Sequence, residues 1–176
     1  SQKERPPVFP ISPRVRHIDI AIDFDRQYHH NLLVRGCYYF TLMRLYRKKL
    51  NYWLKTLKPD IVISTLGREL DFLTQLDDGS IKIGESHIAK PYTRNLHPLE
   101  QRGFPYKQIA RHCRKKQEEA VKKLDALVVL TQNDADNWKE VKKACIIPNF
   151  LPFLPENGSS CLEKRIISIG RYNEQK

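Results

Sequence analysis

Lys58-Pro59-Asp60-Ile61-Val62-Ile63-Ser64-Thr65 lies at a change of periodicity. Upstream, apolar residues recur at helical spacing from about Leu32 to Leu57: Leu42, Leu45, Tyr46, Leu50, Trp53, Leu54 and Leu57. Between them Arg44, Arg47, Lys48 and Lys49 form a basic face. Pro59 has no amide hydrogen to continue that helix and closes it off. Ile61-Val62-Ile63 then runs continuously apolar, as expected of a parallel strand covered on both faces.

The same alternation continues downstream. Gly67 to Leu76 predicts a short helix, and Asp77-Asp78-Gly79-Ser80 is a turn by composition. Ile81 to His87 predicts a strand that ends in polar groups. Pro91 to Pro105 holds three prolines and little periodicity, which predicts a loop. Lys107 to Leu124 is a long charged helix, and Asp125 to Thr131 a buried strand. Asn133 or Asp134 is placed to cap a helix through Val141. Ala144 to Ile147 is one more strand, ended by Pro148-Asn149. Near the start, His17 to Asp23 alternates with period two and predicts a further short strand. Strand and helix alternating in this way call for an α/β architecture, a Rossmann-like parallel sheet with helices on both faces.

The 176 residues suffice for one full domain. No run is long and apolar enough to span a bilayer, and the polar, proline-rich start does not read as a signal peptide. Cys37, Cys113, Cys145 and Cys161 are far apart, so no paired-cysteine metal or redox motif is present, and reduced structural thiols in a cytoplasmic protein are expected. His29-His30 has no third ligand at a usual metal spacing. The formal net charge of +11 fits either an anionic partner, such as nucleic acid, a membrane surface or a phosphorylated substrate, or lysines that simply solvate helix faces.

The last residues carry the sharpest motif. Arg165 to Ile169 is a short apolar run. Gly170 and Arg171 follow at once, and Lys176 comes five residues after Arg171. A glycine allows a sharp turn at a strand end, and two cations beside it suit a phosphate or diphosphate at the carboxyl edge of a sheet. Residues 150–164 contain a stretch rich in Pro, Gly, Ser and Asn and read as an interdomain linker. The expected organisation is an N-terminal domain over 1–149, the linker over 150–164 and the start of a second domain over 165–176.

Taken in order, Leu57-Lys58-Pro59-Asp60-Ile61-Val62-Ile63-Ser64, Glu85-Ser86-His87, Leu124 to Thr131, Ile147-Pro148-Asn149, and Ile167-Ser168-Ile169-Gly170-Arg171 with Lys176 resemble the group 1 (family 4) glycosyltransferases. These are retaining enzymes of the GT-B fold, and the resemblance runs from about Pro59 onward. It implies half of a two-domain enzyme: an acceptor-side domain that ends at the start of a donor-binding domain. The activity implied is transfer of a sugar from a nucleotide-sugar donor to a glycan or lipid-linked acceptor in cell-surface polysaccharide or glycolipid synthesis.

The resemblance assigns Gly170, Arg171 and Lys176 to the donor diphosphate. It places His87 near the donor sugar and acceptor, where the ring could hydrogen-bond a sugar hydroxyl while Glu85 orients it. Lys90 and Arg94, on the next loop, are acceptor-side candidates for an anionic group. No metal or other cofactor is implied, because side chains carry the diphosphate charge. The family's glycine-rich first turn and its downstream acidic donor motif are absent from the 176 residues, so this chain alone is expected to be inactive. The expected location is cytoplasmic, with peripheral contact at the inner face of a membrane. The alternative is a non-catalytic basic Rossmann-like module that binds nucleic acid or an anionic membrane. Tyr38, Tyr39, Tyr46 and Trp53 fall within one helix rather than on a stacking platform, which argues against nucleic acid.

Overall fold

The computed structural model describes residues 10–24, 32–150 and 162. Element order is α1 (Leu32–Leu57), β1 (Ile61–Ser64), α2 (Leu70–Leu73), β2 (Ile81–Ser86), a 3-10 segment (Lys90–Asn95), α3 (His97–Glu100), α4 (Tyr106–Val121), β3 (Ala126–Val129), α5 (Gln132–Asn137) and β4 (Ala144–Ile146). The strands form one parallel sheet in the order β1-β2-β3-β4. The chain therefore has the expected α/β, Rossmann-like architecture. The linker and second-domain assignments, with Gly170, Arg171 and Lys176, lie almost wholly outside the described residues.

Strand alternation divides the sheet into two unlike faces. Register aligns Val62 with Lys82, Ser64 with Gly84, and Gly84 with Leu127. On this face Ser64, Lys82, Ser86, Leu127 and Val129 are buried. Leu127 and Val129 join Leu66, Leu70, Val121, Leu124 and Trp138 in one core. A second core joins Leu54 of α1 to Phe72, Leu73 and Leu76, with Met43, Tyr46, Leu50 and Val62 against it. Both cores lie on the same face, so helices α1, α2, α4 and α5 pack there. On the other face Ile61, Ile63 and Ile81 are 51%, 59% and 51% exposed.

Topology explains the asymmetry. A strand order that follows the sequence, wound by the right-handed crossovers that parallel strands adopt, lays each connecting helix on one side. Covering the second side requires a reversal of strand order, and the described residues contain none. Among the described residues the continuous run Ile61-Val62-Ile63 is thus covered on one face rather than on both. An apolar run has the same appearance in either case.

Gly84 is where sheet and helices approach most closely. A methyl group on it would lie 2.7 Å from both Leu124 Cδ1 and Leu66 Cδ2. Leu66 in turn adopts φ 56°, a left-handed conformation that costs a leucine about 1–2 kcal/mol. The turn holds it there. Ser64 Oγ accepts from Leu66 N at 3.1 Å and donates to Glu69 Oε1 at 2.7 Å, which also accepts from Gly67 N at 3.0 Å. Tyr46 donates to the same carboxylate at 3.4 Å. Burial, and then the Glu69 charge, push the Tyr46 hydroxyl up to about 12, so it remains a donor.

At the opposite end of β2, Lys82 is buried but not unpaired. Its ammonium bonds Asp78 and Ser80, and the side chain of Asp78 is closed off from solvent. Burial raises the Asp78 carboxyl, but hydrogen bonds from Lys82 and Ser80 and the Lys82 charge outweigh it and leave the group below its ordinary value. A lowered folded value stabilises the protein fully above the unfolded carboxyl range, and that stabilisation is lost as pH falls through the folded value. The urea midpoint should therefore drop as pH falls below about 4, the unfolded aspartate range, and Asp78→Asn should flatten that dependence. An unchanged slope in the variant would show that the pair does not contribute to acid stability.

Three further sequence expectations are corrected. His17 to Asp23 is not a strand. Asp19 accepts from Ala21 N at 2.8 Å, Ala21 turns to φ 51°, and Lys49 donates to Ile20 O at 2.9 Å. The alternation instead supplies Ile22 and Phe24 as buried anchors, with Phe24 meeting the rings of Tyr39 and Tyr46. The cap of α5 is Thr131, whose hydroxyl accepts from Asp134 N at 3.1 Å. The helix stops at Asn137 because Trp138 leaves helical geometry, and its indole is buried in the core. The segment from Pro91 to Pro105 is more ordered than a plain loop: it holds the 3-10 segment and α3, with Pro91 and Pro98 in first turns that need no proline amide.

Candidate functional site

In a parallel sheet the loops at the carboxyl ends of the strands converge at one edge, where α/β folds bind ligands. Here that edge holds a cavity of about 620 Å³, within the usual range for a small-molecule site of roughly 300–1,000 Å³. The loop after β1 contributes Thr65, Leu66, Gly67 and Arg68, and the end of β2 contributes Ser86, His87 and Ile88. Thr93, Arg94 and Leu96 form a third wall, with Tyr39 of α1 and Cys113 of α4 behind them.

His87 and Glu85 meet as their spacing suggests. Nε2 of His87 lies 3.3 Å from Glu85 Oε2, and the His87 side chain is 52% exposed. In so open a setting the pair adds little stability. Its effect is on orientation: with Nε2 directed at the carboxylate, Nδ1 remains to meet a ligand hydroxyl.

Arg94 has the most constrained position. Its backbone is left-handed at φ 58°. Its guanidinium bonds Asp71 Oδ1 at 2.6 Å and Gly67 O at 3.0 Å, tying the third wall to the loop after β1. Nε of Arg94 is buried and lacks a protein partner, so it is an unsatisfied donor closed off from solvent. Lys116 lies 3.8 Å from the other Asp71 oxygen. Asp71→Ala should cost about 1–3 kcal/mol, because it leaves a half-buried guanidinium short of its acceptor. Chemical denaturation measures this, and a loss under a few tenths would mean that the contact does not hold the wall.

Lys90 is not among the cavity-lining residues. Its ammonium donates to Asn137 O at 2.9 Å, pairs with Glu118 and Glu140, and lies 4.7 Å from the centroid of the Trp138 ring. It fastens the loop to α5. Arg114 does the same for α4, donating to Glu100 at 2.6 Å and to the carbonyls of Lys90 and Pro91. Thr93 donates to Lys90 O at 2.8 Å, and its oxygen lies 3.2 Å from Gln117 Oε1. A hydroxyl has one proton. The balance of donors favours the Gln117 amide turned so that Nε2, otherwise unpaired and buried, donates to Thr93.

Arg68, Tyr39, Asp71, Arg114 and Gln117 were not among the site residues expected from sequence. Arg68 stands one residue after Gly67 in the β1 loop and packs over Phe24 at 4.5 Å. Its place after a strand and a glycine was the available signal. The others come from helices remote in sequence. Burial, followed by the charge of Asp71, raises the Tyr39 hydroxyl, so it meets the cavity as a neutral group.

The site thus combines a histidine held by a carboxylate, two guanidiniums and hydroxyls from Thr65 and Tyr39 above an apolar floor. It can hydrogen-bond a hydroxyl-rich ligand or hold an anionic one. Among the described residues no group of three or more His, Cys, Asp or Glu side chains comes together to hold a metal, and no helix is long and apolar enough to cross a membrane. No family model matches the chain, and comparison with curated proteins and solved structures also gave no match.

Proposed function

We propose that this chain is the acceptor-side part of a retaining glycosyltransferase of the group 1 (family 4) type, which moves a sugar from a nucleotide-sugar donor to a glycan or lipid-linked acceptor. The observation that carries the proposal is the cavity at the carboxyl edge, where His87 lines the wall in contact with Glu85. The ordered motifs that resemble the family support it, as does the parallel sheet that carries those among the described residues.

In this reading His87 hydrogen-bonds a sugar hydroxyl and Glu85 orients the ring, so His87 is the catalytic candidate and Glu85 a positioning one. Arg94 lines the cavity and supplies positive charge toward an anionic acceptor. Lys90, committed elsewhere, supports the loop. Gly170, Arg171 and Lys176 hold the donor diphosphate, where fixed cations stabilise the charge that grows on the leaving group. Setting of the polypeptide is proposed as cytoplasmic, with synthesis of a cell-surface polysaccharide or glycolipid as its role.

The test is nucleoside-diphosphate release from nucleotide sugars. The 176-residue chain should match the blank. The polypeptide carrying it together with a donor domain should turn over when a glycan or lipid-linked acceptor is supplied. Turnover by the 176 residues alone would refute the division of labour between the two domains.

A further inference from the structure

We propose that the solvent face of α1 is a docking surface for an anionic lipid bilayer. Binding there is independent of sugar transfer, and the experiment below reads it with no donor present. The helix is 26 residues long, about 39 Å at the usual rise of 1.5 Å per residue. It carries Arg35, Arg44, Arg47, Lys48, Lys49 and Lys55 and no acidic residue. Its inner face is fully used: Tyr39 walls the candidate cavity, and Met43, Tyr46, Leu50 and Leu54 pack in the core. Lys49 turns inward to Ile20 O.

The outer face is different. Phe40, Arg44, Lys48, Asn51 and Lys55 recur at spacings of three and four, which places them on one stripe, with Arg47 alongside. Arg44, Arg47, Lys48 and Lys55 line a groove of about 430 Å³ whose far side is Gln75, Leu76 and Asp77. Four cations there face one carboxylate. None of the four has an ion pair among the described residues.

Apolar side chains flank the cations. Phe40 is 69% exposed, Tyr52 63% and Leu45 40%. Cations with interleaved aromatic and aliphatic groups on one helix face match the headgroup region, where the charges meet lipid phosphates and the rings enter the acyl boundary. The pattern favours lipid over nucleic acid. Phe40 and Tyr52 stand about 18 Å apart along the axis by the helical rise, too far to stack neighbouring bases, and Leu45 offers no stacking surface. Tyr39, which walls the cavity, meets the Phe40 ring edge-on at 6.1 Å between centroids, so the docking stripe borders the cavity wall.

Co-sedimentation of the chain with vesicles tests this. Vesicles of phosphatidylcholine alone should leave it in the supernatant. Vesicles that also contain phosphatidylglycerol should pellet it at low salt and release it at high salt. Arg44→Gln with Lys48→Gln should weaken partitioning roughly 25-fold, since one cation near an anionic surface contributes about 1 kcal/mol, or about fivefold. Phe40→Ser with Tyr52→Ser should weaken it without changing the salt dependence. Lys107→Gln with Lys115→Gln, on α4, is the matched control and should have a much smaller effect. All the substituted side chains are exposed, so thermal melting should be nearly unchanged. Tyr52→Trp gives a second readout: its emission should shift to the blue with anionic vesicles only. Equal loss in the α4 control would overturn the proposal, since it would mean that net charge rather than this face binds. Equal binding to both vesicle types, no blue shift, or salt-sensitive binding to duplex DNA with no vesicle binding would also overturn it.

Discussion

Trp138→Ala should cost about 3–5 kcal/mol of folding free energy, a large share of the roughly 5–15 kcal/mol that holds a typical domain together. Trp138 is 2% exposed and completes the cluster of Leu66, Leu70, Val121, Leu124, Leu127 and Val129. Removing the indole leaves a void between β3, α4 and α5. It also removes the ring beneath Lys90, so the loop that borders the candidate cavity loses part of its anchor. Trp138→Phe should cost much less, because it retains most of the volume and deletes an indole N–H that has no protein partner. Tyr52→Ala, at an exposed position on α1, should change stability by no more than about 0.5 kcal/mol. Urea denaturation of the three variants separates these outcomes. A Trp138→Ala loss below about 1 kcal/mol would contradict the core described above.

The second large effect is expected at the proposed donor site. In the polypeptide that carries this chain with a donor domain, Arg171→Ala or Lys176→Ala should lower turnover about 100- to 1,000-fold, or ~2.7–4 kcal/mol of transition-state stabilisation. The physical reason is the timing of charge. As the glycosidic bond breaks, the nucleoside diphosphate gains negative charge, and a fixed cation acts more strongly on that state than on the bound donor. Turnover should therefore fall more than donor affinity, and the melting temperature should barely change. Wild-type turnover in either variant with several donors would remove both residues from the diphosphate site.

How much of this was legible in sequence varied with the range of the interactions involved. β1, β2, β3 and β4 stand out as apolar runs between turn signals, and their bounds match within a few residues. α1 was legible from Leu32 to Leu57 because its periodicity persists over many turns. His17 to Asp23 misled because period two also suits a segment that anchors alternate side chains while its backbone turns at Ala21. The exposure of Ile61 and Ile63 was illegible because burial of a strand face depends on strand order, which local sequence does not contain.

At the site, His87, Glu85 and Arg94 could be read from their place at or after the end of a strand. That Arg94 is held by Asp71, and Lys90 by Glu118, Glu140 and Trp138, could not. Those partners lie 23 to 50 residues apart in the chain and meet only once the helices pack. One loop with two cations therefore divides into a cavity residue and a brace.

The central claim is sugar transfer at the carboxyl-edge cavity, and the most direct measurement is turnover of the His87→Ala variant. Nucleoside-diphosphate release should be followed with a panel of nucleotide sugars, with and without glycan or lipid-linked acceptors, in the polypeptide that includes the donor domain. The prediction is acceptor-stimulated release by the wild type, strongly reduced by His87→Ala with an unchanged melting temperature. Release from no donor in the panel, or equal turnover by wild type and His87→Ala, would contradict it.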